Sequence, residues 1–248
     1  MDPKDLTPYD SELLMYQTMM ELSRQKAPFV YKGGLITKYF LMENGEKDLT
    51  RFTQDIDANW LGEEPTMEYL CEKITEAARV IDPELKAVPY RQFDETKSAG
   101  IKIIRPDGEA QFKLDIDVHR PVAGTTYLFL NDVKITCVDE KQIIADKICS
   151  ISSKTVFRRT KDLVDLFALS AFTSFTPEEI LEISEKVNHE VQDFDCFLNR
   201  KDDLRHAYGT LKGVAVKPDF DLVYDHIKEL IEPIIKAKDA QKDTIDYE

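Results

Sequence analysis

The chain has few of the groups that mark the common catalytic and metal-binding classes. Its four cysteines, Cys71, Cys137, Cys149 and Cys196, are scattered and form no C-x-x-C pair, and no histidine stands at a zinc-ligand spacing from them. A thiolate metal site is therefore not indicated, and buried free thiols are expected. The four histidines, His119, His189, His206 and His226, include no H-E-x-x-H, and the chain has neither a G-x-x-x-x-G-K-[ST] phosphate loop nor a G-x-S-x-G nucleophile turn. No apolar run is long enough to span a membrane, and the opening MDPKDLTPYD is acidic and polar where a secretory signal would be basic and then apolar. A cytoplasmic protein without a membrane partner is the expectation. Basic residues are in the minority: 33 against 47 acidic, or 33 − 47 = −14. That excess disfavours loose, charge-driven binding to nucleic acid, so any such contact needs a local basic patch.

What is present is enough apolar material, 42% of 248 residues, for one large domain or two small ones. Helical spacing from Leu13 to about Ser23 breaks at Pro28, and Phe29-Val30-Tyr31 then reads as a short strand. After Gly33-Gly34, the residues Leu35, Ile36, Tyr39 and Phe40 fall on one helical face, and the polar stretch 43–50 ends that helix. Residues 52–60 form a candidate strand, and Met67 to Ile81 recur at steps of three and four up to Asp82-Pro83. The period then becomes two. Ile101 and Ile103, then Phe112, Leu114, Ile116 and Val118, flank an Arg105-Pro106-Asp107-Gly108 turn, which predicts an antiparallel hairpin.

From about Asp139 the pattern is helical nearly to the end. Thr176-Pro177-Glu178-Glu179 has the form of a capping box, and Phe220, Val223, Ile227, Leu230 and Ile231 make a stripe for burial. The polar residues 236–248 are expected to fray. The fold class that follows is α+β, with a mixed-sheet domain over 1–138 and a helical domain over 139–248.

The chemistry is carried by carboxylates. In Asp55-Ile56-Asp57 the alternation of a strand puts both acids on one face and Ile56 on the other. Asp115-Ile116-Asp117 repeats the arrangement in the hairpin. If the strands are neighbours, three or four carboxylates meet, a setting for Mg²⁺ or Mn²⁺. Either pair alone could simply solvate a wet strand face. Four aspartates on two strands, however, cost β-propensity that solubility could meet with threonine or lysine, which favours the metal. Lys147 sits on or beside the apolar stripe of its helix, and Asp162 and Asp165 open the next one. A lysine in that place either snorkels outward or points at an anion.

The order Lys32-Gly33-Gly34, Arg51-Phe52-Thr53-Gln54-Asp55-Ile56-Asp57, Lys113-Leu114-Asp115-Ile116-Asp117, Asp146-Lys147-Ile148 and Arg159-Thr160-Lys161-Asp162-Leu163-Val164-Asp165 resembles the AbiEii/AbiGii toxin family of nucleotidyltransferases, a branch of the DNA polymerase β-like superfamily. The resemblance covers roughly residues 25–170. It implies a polymerase β-like mixed sheet and transfer of an NMP group from an NTP to an acceptor hydroxyl. Asp55 and Asp57 would hold Mg²⁺ or Mn²⁺, with one of Asp115 or Asp117 as the third carboxylate and Asp115 included among the metal ligands. Gly33 and Gly34 would approach the triphosphate, with Lys32, Thr37 and Arg51 as further nucleotide-binding residues. Lys147 would contact phosphate and Asp162 would orient it or the acceptor. Where the family has serine or threonine beside the glycines this chain has Leu35, with Thr37 two positions on.

By the same resemblance the chain is like the toxin of a bacterial toxin–antitoxin or phage-defence pair, with a cognate antitoxin as partner. Transfer RNA is an acceptor suggested by resemblance, and Lys154, Arg158, Arg159 and Lys161 form a basic cluster that could serve it or merely solvate a helix end. Two other readings stand beside it: a nucleotide-binding or protein-interaction module of the same fold without the chemistry, and nucleotidyl transfer onto protein.

Overall fold

The structure is a computed structural model that describes residues 1–245. The chain forms two compact units, residues 1–39 with 52–138, and 40–51 with residues from 139 onward. The first unit holds helices α1 (Pro3–Leu6), α2 (Asp10–Arg24) and α4 (Met67–Ile81) and the start of α3 (Gly33–Glu43). Its strands are β1 (Phe29–Lys32), β2 (Asp55–Trp60), β3 (Lys86–Arg91), β4 (Ala99–Ile104), β5 (Ala110–Asp117), β6 (Thr125–Leu130) and β7 (Val133–Val138). They form one sheet in the order β3-β4-β5-β2-β1-β7-β6, parallel at β2–β5 and β1–β7 and antiparallel elsewhere.

The expected α+β fold with a mixed sheet is what forms, and the β4–β5 hairpin and α4 stand where the patterning places them. Three strands escape that patterning. β3 contains Pro89, which lacks a ladder donor, and lies at the sheet edge where that loss is tolerated. β6 and β7 are joined through Asn131-Asp132, with Asn131 at φ +49°. Asparagine tolerates that left-handed backbone, so the turn signal is real but short. β2 begins at Asp55 rather than Phe52.

The reason for the late start of β2 is a buried polar network. Glu12 of α2 is 0% exposed, and its Oε1 accepts from the Thr53 amide at 2.6 Å. Its Oε2 accepts from Lys38 of α3 at 2.5 Å and from the Thr7 hydroxyl. Thr53 therefore has its backbone N–H held by a side chain just before the chain enters the sheet. Burial alternates along β5 and the first four residues of β2: Ile56, Ala58, Phe112, Leu114 and Ile116 are buried, while Asp55, Asp57, Lys113, Asp115 and Asp117 lie on the other face and are not; Asn59 and Trp60 at the end of β2 are both buried.

The second unit holds α5 (Glu140–Ser152), α6 (Thr160–Leu169), α7 (Pro177–Lys186), α8 (Asp195–Asn199), α9 (Lys201–Gly209) and α10 (Phe220–Ile245). The capping box at α7 is complete: Thr176 Oγ1 accepts from the Glu179 amide and Glu179 accepts from the Thr176 amide. Phe220, Val223, Ile227 and Ile231 of α10 are buried, but Leu230 is only half-buried and Ile234 takes the inner position instead. The helix continues to Ile245, past the point where fraying is expected, and residues 246–248 lie outside the described residues.

Segment 40–51, which a division at 138/139 would leave with the sheet, belongs to the helical unit. Arg51 bridges to Val214, and the Ala215 and Val216 amides donate to the carbonyls of Thr50 and Asp48. All four cysteines are free, two of them buried and two half-buried. Among the described residues no helix is long and apolar enough to cross a membrane.

Removing Glu12 would take away the carboxylate that the buried Lys38 ammonium contacts. Glu12→Ala is expected to cost about 3–5 kcal/mol, the usual penalty for breaking a buried pair. Urea unfolding monitored by the fluorescence of Trp60, which sits in the sheet, checks this.

Candidate active site

The site is built on the face of the sheet opposite the apolar core. Because β2 and β5 run parallel with Asp57 opposite Asp115, carboxylates from both strands meet. One oxygen from each of Asp55, Asp57 and Asp115 lies within 4.8 Å of the others. An all-oxygen donor set of three carboxylates fits a hard divalent cation such as Mg²⁺ or Mn²⁺ better than a soft one.

Asp117, two residues further along β5, has a different partner. It lies opposite Asn59, and its Oδ2 accepts from Lys32 at 2.5 Å. Of the two acids left open by the sequence, Asp115 is therefore the one gathered with Asp55 and Asp57. Lys32 is engaged by a carboxylate in the same stroke.

Gly33 follows β1 and opens α3 with φ +72°. A Cβ built there would stand 2.0 Å from Asp57 Oδ2. Both the backbone angle and the carboxylate thus require glycine at this point. Thr37, one turn into α3, is 1% exposed and donates its hydroxyl to the Gly33 carbonyl at 2.9 Å, so it braces the turn from inside the helix. Leu35 is fully buried core, and the Tyr16 hydroxyl donates to its carbonyl.

Two site residues have no counterpart in the sequence reading. β3 shifts register between Pro89 and Arg91 against β4, an irregularity of the kind that turns an extra side chain to one face. The Tyr90 hydroxyl and Arg91 Nη2 both donate to Asp115 Oδ1, at 2.7 and 2.6 Å. Gly100 of β4 lies between them and β5, and a Cβ there would come within 2.7 Å of the Tyr90 ring. Both donors thus act on the same oxygen of Asp115, Oδ1. Burial, then the hydrogen bond to Asp115, push the Tyr90 phenol up to about 12, so it remains a donor throughout the working pH range. Only the Pro89 edge and the small Gly100 hint at this in the sequence.

Within the helical unit, Lys147, Asp162, Asp165 and Arg51 form a second network. Asp165 is 0% exposed and takes two cations. Lys147 Nζ donates to its Oδ2 at 2.5 Å, and Arg51 donates from Nε to Oδ1 at 3.1 Å and from Nη2 to Oδ2 at 3.0 Å. Lys147 also reaches Asp162 Oδ1 at 3.2 Å, and Arg159 Nε lies 2.6 Å from Asp162 Oδ2, too poorly aligned for a hydrogen bond. Burial alone would raise the Asp165 carboxyl, but Arg51 and Lys147 hold it well below the ordinary carboxylate range. Lys147 and Arg51, expected at phosphate, are thus buried and carboxylate-bound, and Asp165 is the centre of the group.

A mixed sheet that presents acids from adjacent strands beside a glycine turn defines the nucleotidyltransferase fold class, and the comparisons agree. Similar in structure are JHP933 from Helicobacter pylori (TM-score 0.56, 18% identity, 96% of each chain) and MenT4, a nucleotidyltransferase toxin from Mycobacterium tuberculosis H37Rv (TM-score 0.53, 14% identity, 91% of this chain and 84% of that one). No curated protein matches the sequence. The family described as nucleotidyl transferase AbiEii toxin, type IV TA system, matches residues 14–243. The chain belongs to this AbiEii family and is an enzyme of the nucleotidyltransferase type.

Two outcomes follow. Gly33→Ala should displace the Asp57 carboxylate and lower Mn²⁺ affinity by about tenfold or more, roughly the loss of one good ligand contact at 1.4 kcal/mol per decade, as read by calorimetric titration. Asp165→Asn should cost about 3–5 kcal/mol at neutral pH by removing the buried carboxylate that Lys147 and Arg51 share. The Asp165 carboxyl is held low in the folded state, so its contribution is complete above the unfolded value of about 3.9 and is lost as pH falls through the folded one. The deficit of the variant, measured by urea denaturation, should therefore shrink below about pH 4.

Proposed function

We propose that the chain transfers an NMP group from an NTP to an acceptor hydroxyl in a reaction dependent on Mg²⁺ or Mn²⁺. The observation that carries this reading is the convergence of Asp55, Asp57 and Asp115 within 4.8 Å on the open sheet face. Asp55, Asp57 and Asp115 would hold the cation, which when bound stabilises charge on the attacking and departing oxygens.

The residues of the chain have distinct tasks in this scheme. Asp57 stands between Gly33 and Asp115, so it can serve both the nucleotide side and the acceptor side of the centre. Asp115, oriented through Oδ1 by Tyr90 and Arg91, is the acid best placed to take the proton of the acceptor hydroxyl. The triphosphate would approach at Gly33, with Gly34 buried behind it, and the α3 N-terminus there favours negative charge. Lys32, held by Asp117, adds positive charge beside the same centre. Lys147 and Asp162 are the further pair assigned to phosphate handling, and Asp165 is the residue that fixes Lys147.

The family also supports a toxin role with a cognate antitoxin as partner; transfer RNA is the acceptor this reading adds. Incubating the purified protein with each labelled NTP, Mg²⁺ or Mn²⁺ and total tRNA tests the scheme. Label should appear on RNA, vanish with EDTA, and fall by about 10²-fold or more in Asp57→Ala, the scale of a lost electrostatic contribution to a transition state. Binding of NTP without transfer would point to a module that has lost the chemistry, and labelled polypeptide would make protein the acceptor.

A further inference from the structure

The β3–β4–β5 side of the carboxylate face carries a cation group that the scheme above leaves unused. Lys102 of β4 and Lys113 of β5 are direct partners in the ladder, and Lys113 is in turn opposite Asp55. Like charges placed directly opposite destabilise a strand pair. Among the described residues neither lysine makes an ion pair, even though the chain carries a net charge of −14. Both ammonium groups gather on the Tyr90 ring, at 5.2 and 5.8 Å from its centroid, and the Arg91 guanidinium is 5.5 Å from it. Tyr90 as a whole is 39% exposed.

The position of this group is as informative as its charge. Lys113 is two residues before Asp115, and Lys102 two after Gly100, so the lysines share the face of the acids. The strand order β4-β5-β2-β1 puts the acids between the lysines on one side and Gly33 with α3 on the other. In an in-line displacement the attacking oxygen bonds to phosphorus on the side opposite the one from which the pyrophosphate oxygen departs. With pyrophosphate departing toward the glycine turn, the acceptor must arrive from β4 and β5.

We propose that Lys102 and Lys113, with Tyr90 and Arg91, hold the phosphodiester backbone of a nucleic-acid acceptor strand and deliver its terminal hydroxyl to Asp115. Cations interleaved with an exposed aromatic suit a single-stranded nucleic acid, which offers both phosphates and base faces, better than an acidic peptide, which offers charge alone. This inference rests on the transferase reading for its geometry but is measured without it.

Binding of a fluorescein-labelled single-stranded RNA to the full chain is followed by anisotropy in EDTA over a range of salt. Lys102→Ala/Lys113→Ala should weaken binding about tenfold at low salt and flatten the slope of log K against log salt by about 1.4, at 0.7 per phosphate contact. The single variant Lys113→Glu should weaken it at least as much, and thermal melting should show both variants folded, since neither lysine is buried. Asp57→Ala should bind RNA like the parent chain, so an absence of transfer with intact, lysine-dependent binding would sink the chemistry and not this surface. An unchanged slope in the double variant, a change seen only with Lys154→Ala/Arg158→Ala, no RNA binding at all, or equal competition by polyglutamate would each overturn the proposal.

Discussion

The first unit is organised around a repulsion. Parallel pairing of β2 with β5 sets Asp57 against Asp115 and brings Asp55 into the same few ångströms. Like charges so placed oppose the pairing that creates them. The neighbouring residues answer that cost locally: Arg91 and Tyr90 take one oxygen of Asp115, and Lys32 takes Asp117. A bound divalent cation would supply the remaining compensation. The apolar residues that alternate with these acids, Ile56, Leu114 and Ile116, hold the strands together from the other face.

Two buried ion networks hold the frame. Glu12 ties α2, α3 and the amide of Thr53, and through Thr53 it fixes where the chain enters β2. Asp165 ties α5, α6 and Arg51, a residue 114 positions earlier. Buried charges of this kind contribute little net stability but penalise every alternative arrangement that would leave one of them unpaired. Each network pins a particular segment: Glu12 the entry to β2 and Asp165 the Lys147 side chain of α5.

Much of this was legible in advance. Periodicity located α2, α4 and the β4–β5 hairpin, and the D-x-D alternation placed each pair of acids on one face. The ordered motifs indicated the family. Local patterning could not rank Asp115 above Asp117, because the two are equivalent along the strand and differ only in what lies across it. Nor could it find Tyr90 and Arg91, whose convergence depends on a register shift in a proline-bearing edge strand. Nor does any local pattern show that Lys147 and Arg51 meet at Asp165.

By itself, then, the chain determined which residues alternate, where glycine frees the backbone and which acids stand in pairs, since these follow from side-chain chemistry and short-range geometry. The tertiary structure decided which acids become neighbours, which cations neutralise one another, and to which unit segment 40–51 belongs. Those outcomes depend on strand order, register and contacts across more than a hundred residues, and no local pattern encodes a partner that distant.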